Sequence, residues 1–513
     1  MDAKRMKRVT LGDHPMTIEE FIAVVRYGAQ VEFSNKYCKQ VQESRSLLER
    51  WIKQGRTMYG VNTGFGALCT QLITEEETIQ LQKNILLSHA VSVGKPLTEE
   101  EVRATMLMVL QNVGQGYSGV RIEVLEVYRQ FLNLRLTPFA PREGSVGYLS
   151  PEAHIALVLI GEGNAYLEGE LLSGCEALNR VGLKPIALTA KEGLSLISGT
   201  TGATALGALA LYDMLKAATA ADIIGAMTLE VLKGTIRAFD ERLMSVRPHP
   251  EQTDTAGNLR NILKDSMIAH HFIDYRLQDA LSLRCIPQLH GAAKKTLRDA
   301  LRVIEIEMNS CCDNPILWTA DGEEDVISGG NADASYVGIE MDSACIAATA
   351  IAKMSERRNN RLINERLSEY PAFLIRRPGL NSGLMIPQYT QAALLNEMKI
   401  LSYPATVDNI PTCADQEDYV SMGYNAAKKA REVAEKLEYI LAIELLSTYY
   451  AYQFIDKNLS PGGPAKSVLD RLSKNVPRAD EDLYLYPYIE WLKEFIHSGD
   501  IIECIEQKTG KLK

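Results

Sequence analysis

Ala203 to Met227 reads ATALGALALYDMLKAATAADIIGAM, an alanine- and leucine-rich run broken only by Asp213, Lys216 and Asp222 among charged residues. Alanine and leucine are strong helix formers, and the apolar residues cover more than one helical face. Such a helix must be enclosed by other helices. The three charges set it apart from a membrane span. Outward from this stretch the same spacing predicts long helices over residues 195–240, 290–309, 333–366, 384–402 and 418–455. Another is predicted over 98–116, where Thr98-Glu99-Glu100-Glu101 places acidic side chains at a helix N-terminus. Strand signals are short, at Val31-Glu32-Phe33 and in the turn-rich 315–330. The expected fold class is therefore all-α, a long-helix bundle whose association buries further apolar surface.

With 513 residues, 46% of them hydrophobic and 23% charged, the chain has ample material for a core. A net charge of -10 with no basic tract argues against nucleic acid as a partner. Nine scattered cysteines without a CxxC pair read as reduced thiols, which with an N-terminus unlike a signal peptide gives a cytoplasmic expectation. No HExxH, GxGxxG or GxxxxGK[ST] pattern appears, so neither a metal nor a nucleotide is expected, and no membrane partner either. Three parts are expected: residues 1–205, 206–455 as the central helices, and 456–513 as a surface excursion followed by a terminal helix.

Chemistry in a helical scaffold concentrates in its loops. Tyr59-Gly60-Val61-Asn62-Thr63-Gly64-Phe65-Gly66 resembles the YGxNTGFG loop of the histidine, phenylalanine and tyrosine ammonia-lyases. Gln82-Lys83-Asn84 with Ser88-His89 is similar to their LQxNLxxSH segment, and SLISGTTGAT at 195–204 to their LxNGTxxxT turn. Arg247-Pro248-His249-Pro250, Gln278-Asp279 with Ser282-Leu283-Arg284-Cys285, Asp313-Asn314-Pro315, Ser328-Gly329-Gly330-Asn331, Leu380-Asn381-Ser382-Gly383 and Gln416-Glu417-Asp418 follow in the family's order. The resemblance spans about residues 15–455. It implies a homotetramer with active sites shared between subunits, and loss of an amine from a β-aryl amino acid. It further implies that Tyr59 is the base, that Arg284 holds the substrate carboxylate, and that Glu417 faces the ring or the amine. His89 would contact the ring edge, with Gln278 supporting the pocket.

The departures are as informative. The family's GSVG is followed by Ala-Ser-Gly, the precursor of its methylidene-imidazolone electrophile, and then by DLxPLAH. Here Gly144-Ser145-Val146-Gly147 runs directly into Tyr148-Leu149-Ser150-Pro151-Glu152-Ala153-His154. The catalytic tyrosine of QDxYSLRC is Leu281, the asparagine of LxNGT is Ser198, the residue after SGGN (Asn331) is Ala332, and the asparagine before Gln-Glu-Asp is Asp415. The electrophile works by bonding to an amine's lone pair. A quaternary trimethylammonium has none, and it departs as a neutral amine without help. Smaller residues at 198, 281 and 332 make room for methyl groups, and Asp415 or Glu417 offsets the fixed charge. The expectation is a carbon–nitrogen lyase without a prosthetic group that eliminates trimethylamine from a histidine betaine such as ergothioneine. Two alternatives stand beside it: an ammonia-lyase-like deaminase of an aromatic amino acid, and an inactive tetrameric scaffold. Lys53 and Lys399 lie near matched segments, but a surface role is favoured for both.

Overall fold

The computed structural model describes residues 3–74, 77–320, 322–478 and 480–513. The helix that contains Ala203–Met227 runs from Thr201 to Val231. The other long helices are Glu99–Gly114, Ile286–Met308, Ser335–Ile363, Met385–Leu401 and Gly423–Ala451. Each lies within a few residues of its expected span, except that 195–240 is trimmed at both ends. Ser198-Gly199-Thr200 forms a turn before the helix, and Lys233, in a left-handed conformation, follows its end.

The chain folds into two compact units: Met1–Leu209 with Leu301–Asp342 and Pro404–Lys428, and Ala210–Ala300 with Ser343–Tyr403 and Lys429–Lys513. In the first, Thr98 accepts from the Glu101 N–H while the Glu101 carboxylate accepts from Thr98, a reciprocal cap on Glu99–Gly114. That helix is buried along almost its whole length. Its Arg103 is spent on the carbonyls of Val24, Val25 and Leu132.

This unit also holds the strands, of which composition showed only part. Arg8–Leu11 pairs in parallel with Gln30–Phe33, and Ile316–Ala320 pairs with Glu323–Ile327 as an antiparallel hairpin. Val93–Pro96 with Pro141–Glu143, and Thr137–Pro138 with Asn164–Leu167 and Glu170–Ser173, were not expected. They are two to four residues long, too short for an alternating pattern to register.

In the second unit, among the described residues, the elements are helical. Arg358 reaches Glu444 through two parallel N–H···O bonds, at 2.5 and 2.9 Å, and Thr228 donates to the same carboxylate at 2.8 Å. This fork ties three long helices together in a dry interior. The expected surface excursion over 456–480 is corrected. Gly463–Leu472 is a helix that buries Pro464, Ala465, Val468 and Leu472 and packs on Asp500–Thr509. Proline at its start suits a first turn, where no N–H partner is needed.

Candidate active site

Tyr59 is held by its neighbours in sequence. Met58 and Val61, on either side of it, are buried in a cluster with Leu47, Leu48, Trp51, Ala190 and Leu317. Asn62 closes the loop, its Oδ1 accepting from the Met58 N–H at 2.7 Å and its Nδ2 donating to the Arg56 carbonyl at 2.9 Å. The Gly66 N–H donates to the Tyr59 phenol oxygen at 3.0 Å. Gly66 has φ +51, and a β-carbon there would come within 2.5 Å of Cys413 Sγ, so only glycine serves.

The turn Gly66–Leu68 packs on Cys413–Asp415, a segment with three consecutive residues in the left-handed region. Glu417 follows. It pairs with Thr412 through both backbone groups, and Thr412 Oγ1 donates to Glu417 Oε2 at 2.8 Å. His89 ends the helix Thr78–His89, which packs against Glu152–Leu157 and Glu192–Ser195.

Electrostatics join these pieces. Burial pushes the Tyr59 phenol above its ordinary value; the Gly66 N–H pulls it back, while Cys69, Cys413 and Glu417 push it up. Burial lowers His89, against the opposing pull of the Ile85 carbonyl and of the Glu417 charge. The Glu417 charge thus acts on both Tyr59 and His89. To them the structure adds Tyr148, half-buried; burial, then the Glu417 carboxylate, pushes its phenol well above the usual range. Asp333 and Cys413 also act on Tyr148. Neither Tyr148 nor Cys413 was among the residues expected from sequence. For Tyr148 a signal existed in its position directly after Gly147; Cys413 carried none.

The other expected residues are placed as follows. Ser198 is buried, its Oγ accepting from the Asn314 N–H at 3.2 Å and its carbonyl from Asn112 Nδ2 at 3.2 Å. Asn331 is exposed and donates to the Cys311 carbonyl, Ala332 is half-buried beside Asp333, and Asp415 is exposed two residues before Glu417. These hydrogen bonds of Ser198 and Asn331 go to Asn314, Asn112 and Cys311 and not to Tyr59, His89 or Glu417. Gln278, Leu281 and Arg284 belong to the second unit. Gln278 is exposed, Leu281 is 62% exposed, and Arg284 Nε is buried without a hydrogen-bond partner among the described residues. Lys53 and Lys399 are exposed, as surface charges are.

The residues at the family's prosthetic-group position do not fit the precursor. The backbone passes from Gly147 to Tyr148, whose carbonyl accepts from Ser145 Oγ at 3.1 Å, and to Leu149, whose N–H donates to the Ile197 carbonyl at 3.1 Å. No Ala-Ser-Gly run occurs anywhere in the sequence.

A phenol raised by burial, a carboxylate and an imidazole lie on loops and a helix end of a long-helix scaffold. The model of the family "Aromatic amino acid lyase" matches residues 16–474, and the chain belongs to that family. It is 43% identical to the histidine ammonia-lyase of Symbiobacterium thermophilum over 99% of this chain and 100% of that protein. The crystal structure of histidine ammonia-lyase from Trypanosoma cruzi superposes with a TM-score of 0.91 at 34% identity, covering 98% of this chain and 96% of that one. Ergothionase from Treponema denticola, solved with desmethyl-ergothioneine sulfonic acid, gives 0.88 at 26% identity over 96% and 99%. Among the described residues, no helix is long and apolar enough to cross a membrane.

Proposed function

We propose that this carbon–nitrogen lyase eliminates trimethylamine from a histidine betaine such as ergothioneine, with no prosthetic group. The observation that carries the reading is the direct Gly147–Tyr148 junction, at the point where the family's electrophile precursor would begin. A chain without Ala-Ser-Gly cannot make that ring, and a trimethylammonium leaving group does not need it. The structural likeness to ergothionase supports the same chemistry.

In the proposed step the Tyr59 phenolate takes the β-proton, assisted by the Gly66 N–H on its oxygen. The C–H electron pair becomes the new Cα=Cβ bond while the Cα–N bond breaks, and the nitrogen leaves with its electrons as neutral trimethylamine. Glu417 balances the positive charge before departure, and His89 meets the ring edge. Arg284 clamps the carboxylate with two parallel bonds, which a lysine could not reproduce. Gln278 supports the pocket, with Ser198, Leu281, Asn331, Ala332 and Asp415 around the substrate. A homotetramer with sites shared between chains completes the proposal. Purified enzyme given ergothioneine, hercynine and histidine should form a conjugated acrylate from a betaine and leave histidine untouched. Deamination of histidine with both betaines ignored would overturn the reading.

A second reading, deamination of histidine itself, is favoured by the name carried by the relative at 43% identity over full length. Intact mass helps to separate the two, because cyclisation of a tripeptide expels water. The chain's full calculated mass, together with histidine turnover, would leave deamination requiring a route without that ring.

A further inference from the structure

We propose that Lys233 is a positioning residue for the segment that carries Gln278, Leu281 and Arg284, an inference that rests on the carboxylate role of Arg284 above. Lys233 follows the end of the helix Thr201–Val231 with φ 57, a backbone conformation that is costly for any residue but glycine. Its ammonium is enclosed. The Nζ lies 5.7, 5.3 and 5.4 Å from the ring centroids of Phe272, Tyr275 and Tyr370, within the range of cation–π attraction. It also donates to Glu369 Oε2 at 2.9 Å, and only 16% of the Lys233 side chain is exposed. The Tyr275 hydroxyl donates to the same Glu369 oxygen at 2.5 Å, and Arg276 Nη2 lies 3.6 Å from the other.

Two walls of this cage, Phe272 and Tyr275, belong to the stretch between the helices Met267–His271 and Leu281–Arg284. That stretch meets residues 232–235 at two further points. Arg276 Nη1 donates to the Leu232 carbonyl, and Asp279 Oδ2 accepts from the Thr235 N–H at 2.6 Å. Ala280 comes next, and its carbonyl accepts from the Leu283 and Arg284 N–H groups at 3.0 Å, which begins the turn that holds Arg284. Gln278 and Leu281 are exposed, and Arg284 Nε has no hydrogen-bond partner among the described residues. The placement of these side chains therefore comes from backbone tied to the end of Thr201–Val231, and Lys233 joins that end to Phe272, Tyr275, Glu369 and Tyr370. A guanidinium fork meets a carboxylate through two parallel bonds only in the right orientation, so a shift of the segment weakens substrate binding first.

The test compares full-length Lys233→Met, Lys233→Arg and Arg284→Lys with wild type on whichever of ergothioneine, hercynine and histidine it turns over, since all three carry the carboxylate. Lys233→Met keeps the aliphatic stem and removes the charge, so KM should rise about tenfold while kcat stays within about twofold. Lys233→Arg keeps a cation between the rings and should hold KM within about threefold of wild type. Arg284→Lys should raise KM about tenfold or more by itself. Adding Lys233→Met to it should then raise KM less than about twofold, because the fork to be positioned is gone. Full additivity of the two, or an unchanged KM in Lys233→Met, overturns the inference and leaves the role of Arg284 standing. An unchanged KM in Arg284→Lys removes that role and the inference with it. Should Lys233→Met fail to fold, Tyr275→Leu opens the cage at a wall that is 46% exposed, with the same KM expected and the same result overturning the inference. Wild-type enzyme inert toward all three substrates removes the lyase reading and the inference together, before any variant is made.

Discussion

Tyr59 has the clearest consequence for pH. Its phenol lies above its ordinary value because it is buried, so the base form is scarce at neutrality. The expected kcat/KM rises about tenfold per pH unit from pH 7 toward 10, and Tyr59→Phe lowers kcat by about a hundredfold to ten-thousandfold with an unchanged circular dichroism spectrum. A flat profile over that range would remove Tyr59 from the role of base. Glu152 makes a separate prediction. Its Oε1 accepts from Thr201 Oγ1 at 2.9 Å and the Gly202 N–H at 2.7 Å, while its buried Oε2 has no partner among the described residues. Burial raises its carboxyl above the ordinary value. The unfolded chain therefore releases this proton first, and stability falls as pH rises from about 4.5 through the folded value. Glu152→Gln keeps an acceptor and removes the charge, so it should be more stable by about 1–2 kcal/mol at pH 8 and by less at pH 5. Urea melts at the two pH values decide it; an advantage that shrinks with rising pH contradicts the assignment. Tyr59, His89 and Glu417 were legible because each sits in a distinctive short motif. Tyr148 was legible only as a position, since Glu417, whose charge raises its phenol, is far along the chain.

At the scale of elements, the long helices were readable because apolar spacing persists over many turns, as in Ser335–Ile363 and Gly423–Ala451. Their ends were less so. Thr98-Glu99-Glu100-Glu101 shows why the helix Glu99–Gly114 is the exception: the acidic run announced the terminus, and the structure shows a reciprocal cap. Thr98→Ala should cost about 1 kcal/mol, read as a lower denaturation midpoint with an unchanged slope. No change would mean that the buried length of the helix, rather than its cap, fixes its start. The helix Gly463–Leu472 was missed for the opposite reason. Its Pro, Lys and Gly content resembles a loop, and only the apolar face at Ala465, Val468 and Leu472, met by Asp500–Thr509, makes it a helix. Tertiary contact overrode composition there.

For the whole molecule, the exposed apolar side chains argue about assembly. In the second unit Ile386, Tyr389, Ile400 and Tyr403 are between 54% and 74% exposed. Their spacing of three and fourteen residues puts them on one side of Met385–Leu401 and its extension. A stripe of this kind on a folded chain marks a partner surface, and the proposed partner is a second copy. Ile386→Asp with Tyr389→Asp should reduce the assembled mass in light scattering while the helical signal is kept. Sharing of sites makes a sharper prediction. Tyr59 and Arg284 lie in different units of the chain, and if one site draws them from different subunits, two inactive variants can complement each other. Co-expressed Tyr59→Phe and Arg284→Ala chains that mix at random should regain about a quarter of wild-type activity, because one site in four then receives both intact residues. If the two residues of a site come from the same chain, every site in the mixture carries one lesion, and the activity stays at the level of the separate variants.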